Sequence, residues 1–526
     1  MTFINPSLPD WLDRPLTRFA ASGLSGIFLW ACFPLLNWAA LVWVACLPLL
    51  LAIVSEKRPA RGFWLGYLTG TIFLAGSCYW FVGVMRHYGG LSSVVGAGVL
   101  VLFVALFATF YGAFGLIETS VARRSTGAAL LLSPFLWVAL ELARTYLFTG
   151  FPWNLLGYAV RPEGLEQIAS VTAVYGLSFL AISTSALLAW ILLKPRRRTG
   201  WMALAVWVVF LGVADRLLLP PRRQPEPDVA LLVQPNIPLA ESGMRNWAPW
   251  LNPNPLDALV ERSVHASRSP EALSKNSLLL VWPEDPAPFY FNRDPVFHGA
   301  VELMAKEARA YAVVGTVTFQ GEGTSLPKNS AVILAPDGRV VLQYDKIHLV
   351  PFGEYVPWWA FPGQVGKITS QVGDFIAGKT VQVAKTPEGT IGVFICYEAI
   401  FPQLVRKIAA AGAGVLVNIS DDGWFGDSSA PYQHFEMARF RAIENRRFLL
   451  RATNDGITAI IDPYGRVRKE IPRHQDGILT GRFRYLTQET FYTAHGDVFA
   501  WFCVATALGM ILAVGLGLSV KRAPTH

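Results

Sequence analysis

The chain is poor in charge. Asp, Glu, Lys and Arg make up 16% of its 526 residues, against about a quarter in an average soluble domain. With 53% hydrophobic residues and 18 tryptophans, that deficit points to a membrane protein. Cysteine is scarce too. Cys32, Cys46, Cys78 and Cys503 lie in apolar stretches, where the side chain behaves as a small buried hydrophobe. Cys396 alone falls in a region that reads as soluble. An internal disulfide is thereby excluded there, and the thiol serves either packing or chemistry. A Gly-rich phosphate loop and a cluster of metal-ligand spacing are both missing, so no cofactor and no metal is expected. So are an internal repeat, a long low-complexity stretch and a leader with a small-residue cleavage site, and the first apolar span reads as a retained anchor. The length allows two to four domains. A net charge of +8 would suit a nucleic-acid binder. The clustered Lys and Arg, however, sit in short loops beside apolar spans, where they set membrane topology, and no nucleic-acid partner is expected.

A helix that crosses a bilayer needs about 20 mostly apolar residues. Seven such spans are expected before residue 220, over 18–35, 37–54, 62–84, 91–117, 127–147, 168–193 and 200–219, and an eighth over 498–518. Lys and Arg collect on the cytoplasmic side. Placing Arg14 and Arg18 inside also places inside Lys57, Arg58 and Arg61, then Arg123 and Arg124, then Lys194, Arg196, Arg197 and Arg198, and finally Lys521 and Arg522. The outer loops hold little beyond Arg86 and Arg161. The long segment between the last two spans therefore faces away from the cytoplasm. The expected organisation is a seven-helix membrane region over 1–220, a catalytic domain over 221–495, and a final helix with a cytoplasmic tail over 496–526.

That long segment changes character. Pro220, Pro221, Pro225 and Pro227 mark a linker. Apolar runs of strand length follow at 229–233, 277–282, 312–317, 331–334, 340–344, 391–396, 414–419, 448–452 and 457–461. Helical patterns at 295–310, 401–411 and 432–445 separate several of them, and Asp337-Gly338 and Asp462-Pro463-Tyr464-Gly465 read as turns. Alternating strands and helices predict a layered α/β domain. The expected fold class is thus a membrane α-helical bundle of about eight transmembrane helices plus an α/β domain.

Three runs carry chemistry. In Leu280-Val281-Trp282-Pro283-Glu284 an apolar strand ends in a carboxylate, at the edge where ligands gather in α/β layers. Taken alone, such a glutamate is ordinarily a cap or turn acid. Lys346 follows the strand 340–344 directly, and Glu354 follows a Pro-Phe-Gly turn; a lone lysine there is ordinarily a solvated surface charge. Cys396 ends the very apolar strand 391–396 just before a helix, where backbone N–H groups lower a thiol pKa and bind an oxyanion; taken alone it is ordinarily a buried structural cysteine. The three together form a coherent set, separated by about 60 and 50 residues. A thiolate is the nucleophile, a carboxylate takes its proton, and an ammonium stabilises thiolate and oxyanion. His348 reads as structural in preference to a metal ligand, because no partner ligands stand at zinc-like spacing.

Trp282-Pro283-Glu284, the run 346–357 and Cys396-Tyr397-Glu398 resemble, in order and spacing, the carbon–nitrogen hydrolase (nitrilase) superfamily. Within it the chain is similar to the apolipoprotein N-acyltransferase family. Pro327-Lys328-Asn329-Ser330, Gly423-Trp424-Phe425-Gly426-Asp427 and, in the membrane part, Thr149-Gly150-Phe151-Pro152-Trp153 carry the same resemblance, which covers essentially the whole chain. It implies a nitrilase-like four-layer α-β-β-α sandwich in a multi-pass protein of a bacterial inner membrane. It also implies transfer of a fatty acyl chain from a phospholipid to the α-amino group of a diacylglyceryl-modified cysteine in a lipoprotein precursor. In that reading Glu284 is the general base, Lys346 supports the oxyanion, Cys396 forms a thioester, and Glu354 orients Lys346 or assists proton transfer. Tyr397 and Glu398 line the site, with the Tyr397 N–H as an oxyanion donor, and Asn329 and Trp247 take site-loop roles. The sequence departs from the family pattern at Ser420-Asp421-Asp422, where Ser-Asn-Asp is expected, and no role is carried over to Asp421.

Both implied substrates carry lipid chains, so the chemistry belongs near the headgroups. Lifting an acyl chain into water costs about 0.8 kcal/mol per CH₂. Trp247-Ala248-Pro249-Trp250 and the run 356–362 are either interfacial anchors or core aromatics, and Trp424-Phe425 is lid or core. Glu141 and Arg144, at i, i+3 in the fifth span, read first as a self-neutralising pair and second as support for the loop 150–153. Three other readings stand beside acyl transfer: a membrane-anchored amidase or nitrilase, a non-enzymatic transporter or scaffold, and Cys-His catalysis through His348 or His434.

Overall fold

The computed structural model describes residues 14–87, 91–221, 225–238, 254–319, 321, 326–355 and 375–517. Trp247, the segment 247–250 and the segment 356–362 lie outside the described residues. The chain divides into two compact units, Met1–Val82 with Val94–Pro220 and His495–His526, and Gly83–Ser93 with Pro221–Ala494.

The first unit is helical. Five of its helices among the described residues are long and apolar enough to cross a membrane: Ser93–Ala122, Thr126–Tyr146, Val174–Leu193, Arg198–Leu217 and Val498–Gly515. They fall on the last five expected spans. The earlier spans take other forms. Pro15–Ala31 has 17 residues, and Pro59–Cys78 has 20. The expected span 37–54 is not one continuous helix, but a short 3₁₀ turn, Ala39–Trp43, followed by the nine-residue helix Leu47–Ser55. Pro48 in the first turn of that helix explains the break: it has no N–H to offer and its ring excludes a helical turn before it. The sixth span starts at Val174 instead of 168, because Ala173 takes a left-handed φ of 53°. Arg18, read from the sequence as a loop charge, is buried and paired with Glu56 at 2.9 Å.

The second unit is the α/β domain. Its strands are β1 Asp228–Gln234, β2 Leu278–Val281, β3 Tyr311–Phe319, β4 Pro327–Leu334, β5 Val340–Asp345, β6 Val383–Lys385, β7 Thr390–Ile395, β8 Val415–Ser420, β9 Phe448–Thr453, β10 Thr458–Ile461, β11 Val467–Ile471 and β12 Gly477–Phe483. They form two six-stranded sheets, ordered β12-β1-β2-β3-β4-β5 and β11-β10-β9-β8-β7-β6. Continuous apolar runs such as Val229–Val233 form strands that are buried on both faces. Alternate residues explain the layers. Leu232, Val281, Val313, Ile395, Val417 and Leu450 interdigitate between the sheets. Leu231, Leu280 and Val314 pack outward on the helix side with Phe297, Val301 and Met304. Phe394, Leu416 and Leu449 pack on the other outer side with Val405, Ile408 and Ala438. The result is the expected α-β-β-α sandwich.

Strand direction places the site. β1, β2 and β3 are parallel, as are β7, β8 and β9. β5 runs antiparallel to β4, itself antiparallel to β3, so β5 ends at the same edge as β2. The two sheets join at that edge beyond β1, where the Asn236 N–H donates to Asn454 O at 3.1 Å and the Ile237 N–H to Asn454 Oδ1 at 2.9 Å. Three strands, β6, β11 and β12, were not expected. β11 carries charged residues on exposed positions and β6 has three residues, so neither shows a buried-strand pattern.

Candidate active site

Glu284 stands three residues past the end of β2, at the common edge. β3 passes so close there that a side chain on Gly315 would meet Pro283 O at 2.2 Å and Glu284 Cα at 2.8 Å. Lys346 follows β5 immediately and is 1% exposed. Its Nζ donates to Glu354 Oε1 at 2.9 Å and to Glu284 Oε1 at 3.2 Å. Asn329, on β4, bridges the same two oxygens, its Nδ2 lying 2.8 Å from each. The other carboxylate oxygens are held by backbone, Glu284 Oε2 by the Asp421 N–H at 3.0 Å and Glu354 Oε2 by the Val350 N–H at 2.7 Å. Burial alone would push the Lys346 ammonium down, but the charges of Glu284 and Glu354 outweigh it and hold the ammonium well above the usual lysine range.

Cys396 follows β7 immediately, with a left-handed φ of 49°, and begins the 3₁₀ turn Cys396–Ile400. For a side chain with a Cβ this backbone conformation is uncommon and persists only where the surroundings impose it. Burial, and next the charge of Glu284, push its thiol well above the ordinary range, while Lys346 pulls the other way. Burial thus favours the thiol over the thiolate, and the charges of Glu284 and Lys346 both act on it.

Glu398, expected to line the site, is fully buried, and its oxygens are taken. It accepts from the N–H groups of Ile395 and Ile347 at 2.7 Å each and of His348 at 3.1 Å, and from Tyr344 Oη at 2.9 and 3.0 Å. It thus ties the segment after Lys346 to the end of β7 that carries Cys396. Burial raises its pKa to about 7 against those backbone donors. Tyr397 packs on Phe401 with ring centroids 5.2 Å apart, and His348 stacks on Phe401 at 3.7 Å.

One network had no separate signal in the sequence. His434, on the helix Ala430–Asn445, has Nε2 3.0 Å from Cys396 O and Nδ1 2.9 Å from Asp422 Oδ1. Asp422 Oδ2 accepts from Arg451 Nη2 at 2.6 Å. Burial works against ionising Asp422, but Arg451 and then His434 win and hold its carboxyl well below the usual range. Both nitrogens of His434 are thus engaged behind Cys396 by a carbonyl and a carboxylate, which leaves neither for the thiol and removes the ground for Cys-His catalysis through His434. Asp421 sits between this network and Glu284. It accepts from the Gly423 N–H at 2.9 Å and from Asn454 Nδ2 at 3.2 Å, and burial, then the Glu284 charge, raise its carboxyl to about 8.

The chain is similar to known proteins along most of its length. The Carbon-nitrogen hydrolase family matches residues 229–490, and the Apolipoprotein N-acyltransferase N-terminal domain family matches residues 25–187. The Apolipoprotein N-acyltransferase of Geobacter metallireducens is 40% identical over 99% of this chain and 98% of its own length. The chain belongs to the apolipoprotein N-acyltransferase family. The protein of the same description from Methylococcus capsulatus is 32% identical over 90% of this chain and 91% of its own. The family is one of N-acyltransferases, and the apolar helices fit a membrane protein.

In the helical unit the loop after Thr126–Tyr146 is built on Glu141 and Arg144. Glu141 Oε1 accepts from the Leu156 N–H at 2.8 Å and from Trp137 Nε1 at 3.0 Å. Arg144 accepts the Phe151 N–H on its own carbonyl at 2.9 Å, and its Nη1 donates to Tyr111 Oη at 3.1 Å. Phe151 and Trp153 stack at 5.9 Å. The two charges do not form the expected pair on the helix face; the second reading, support of the loop, is the one the geometry favours.

Proposed function

We propose that Cys396 carries a fatty acyl chain as a thioester between a phospholipid and the α-amino group of a diacylglyceryl-cysteine lipoprotein precursor. The observation that carries this reading is the contact set at one sheet edge: Lys346 Nζ within 3.2 Å of both Glu284 and Glu354, with Asn329 bridging them. In the first half-reaction Glu284 takes the Cys396 proton as sulfur attacks the ester carbonyl. The tetrahedral oxyanion is held by the Lys346 ammonium and the Tyr397 N–H. The carbon–oxygen bond then breaks, and the departing lysophospholipid oxygen takes the proton back from Glu284. In the second half-reaction the acceptor amine attacks the thioester carbon and gives its proton to Glu284. The carbon–sulfur bond breaks, and the thiolate is reprotonated from Glu284. Kinetics are therefore ping-pong. Glu354 and Asn329 keep Lys346 aimed, and Glu398 sets the distance between Lys346 and Cys396. Lys346, held charged by its two carboxylates, needs no proton at any step.

The catalytic domain spans 221–495 between a membrane region over 1–220 and a last helix over 496–526, in the inner membrane with the domain on the periplasmic side; loop charge supports that orientation. The whole-length likeness to N-acyltransferases favours transfer over the amidase reading. Intact-mass analysis of the purified full-length protein after incubation with phospholipid tests it. A fatty-acyl increment is expected on wild type and none on Cys396→Ala, and a diacylglyceryl-cysteine peptide should discharge it much faster than water. An increment that survives in Cys396→Ala, or equal discharge by water, would sink the mechanism.

A further inference from the structure

The α/β unit holds a second concave feature, a cavity of about 210 Å³ at the end of β9 that begins with Phe448. The catalytic edge is at the other end of that strand, past Thr453. Arg446, Arg466, Arg468 and Arg484 line the cavity, against the carboxylates of Glu226 and Asp462. Arg468 engages both acids, with Nη2 3.2 Å from Glu226 and Nη1 3.7 Å from Asp462. Arg446 donates to Ile443 O and Pro463 O at 3.3 Å each and lies 4.8 Å over the Tyr464 ring. Arg466 donates to Pro221 O at 3.1 Å. Across the lining four guanidinium groups face two carboxylates, an excess of two positive charges. Burial lowers Arg446 to about 10, which still leaves it fully charged at neutral pH.

Convergent guanidinium forks in a small hollow suit a phosphate, whose oxygens accept paired N–H groups. The volume is below the range of about 300–1,000 Å³ that encloses larger ligands, so it fits a headgroup and not an acyl chain. The chain indicates which phosphate is at hand. Pro221, in the lining, stands four residues after Leu217, the end of the helix Arg198–Leu217. Gln488, also in the lining, stands ten residues before Val498, the start of the last helix. Four residues reach at most about 14 Å. Both tethers of the domain thus enter this one cavity.

We propose that the Arg446–Arg466–Arg468–Arg484 cavity binds the phosphate of a phospholipid headgroup, at a site separate from the acyl donor at Cys396. The proposal does not rest on the thioester reading. Hydrogen exchange on the full-length, delipidated protein in a maltoside detergent tests it, with three additions: dioleoylphosphatidylglycerol, dioleoylglycerol, which lacks phosphate, and inorganic phosphate. The phospholipid is expected to slow exchange over 462–468 and 484–488, and dioleoylglycerol to leave it unchanged. Inorganic phosphate should act only at a concentration at least about tenfold higher, since lipid is concentrated in the micelle. Arg466→Gln with Arg484→Gln should raise the phospholipid midpoint on the order of tenfold or more; should that protein not fold, Arg484→Gln alone is read the same way. Cys396→Ala should protect like wild type, which separates this site from the catalytic one. Protection by dioleoylglycerol, protection by inorganic phosphate but not by the phospholipid, no protection at all, or undiminished protection in the arginine variants would each overturn the proposal.

Discussion

Asp421→Asn should stabilise the protein, and the gain should grow with pH. The Asp421 carboxyl is 5% exposed, faces Gly423, Asn454 and the Glu284 carboxylate, and is raised from the usual 3.8 to about 8. A carboxyl whose folded pKa is raised favours the fold only while it is protonated. Its neutral form costs nothing below pH 4. As pH rises past the unfolded value the unfolded chain releases the proton and the folded one does not, and stability falls until both have ionised above about pH 8. Between pH 5 and pH 9 the loss amounts to about 4 kcal/mol as an upper bound, from 1.36 kcal/mol per unit. Asparagine keeps the acceptor for the Gly423 N–H and removes the ionisation. Thermal unfolding of wild type and variant at the same heating rate, at pH 5 and pH 9, measures the difference. At about 2–4 °C per kcal/mol for a domain of this size, the variant's advantage should widen by roughly 8–16 °C at pH 9. An advantage equal at the two pH values would refute the reasoning. The same ionisation sets a second negative charge beside Glu284, so the alkaline limb of the activity profile should begin at higher pH in the variant.

Two further outcomes follow from the site. Lys346→Met leaves Glu284 and Glu354 sharing Asn329 without a cation, and the acylation rate should fall by about 10²-fold or more with the fold retained at low pH, as pre-steady-state acyl-enzyme formation would show; a rate within threefold of wild type would contradict it. Gly315→Ala puts a methyl group 2.2 Å from Pro283 O and 2.8 Å from Glu284 Cα. It should displace Glu284 and lower kcat more than it raises KM; unchanged kinetics would mean the strands are looser than described.

Glu284, Lys346 and Cys396 could be singled out because each stands at or just beyond the end of a strand whose apolar run is plain in the sequence. A residue in that position is set by local backbone direction, so Glu284, Lys346 and Cys396 share an edge once β2, β5 and β7 run as they do. The helices were less legible where one proline changed the outcome: the apolar run 37–54 looks like a span, yet Pro48 divides it.

What the sequence determined by itself is therefore the membrane character, the layered α/β domain and the residues at strand ends, since periodicity and turn chemistry act between near neighbours. What tertiary structure decided is who meets whom across long separations. His434 lies 38 residues from the Cys396 carbonyl it engages, and Asp421 lies 137 from Glu284. Glu398 became a brace because Tyr344 and the 347–348 amides, about 50 residues earlier, fold onto it. The four arginines of the second cavity are spread over residues 446 to 484 and form no run. Such partners are chosen by burial, which forces every enclosed charge and donor to find whichever counterpart the fold brings near, and that choice is not written in any short stretch of chain.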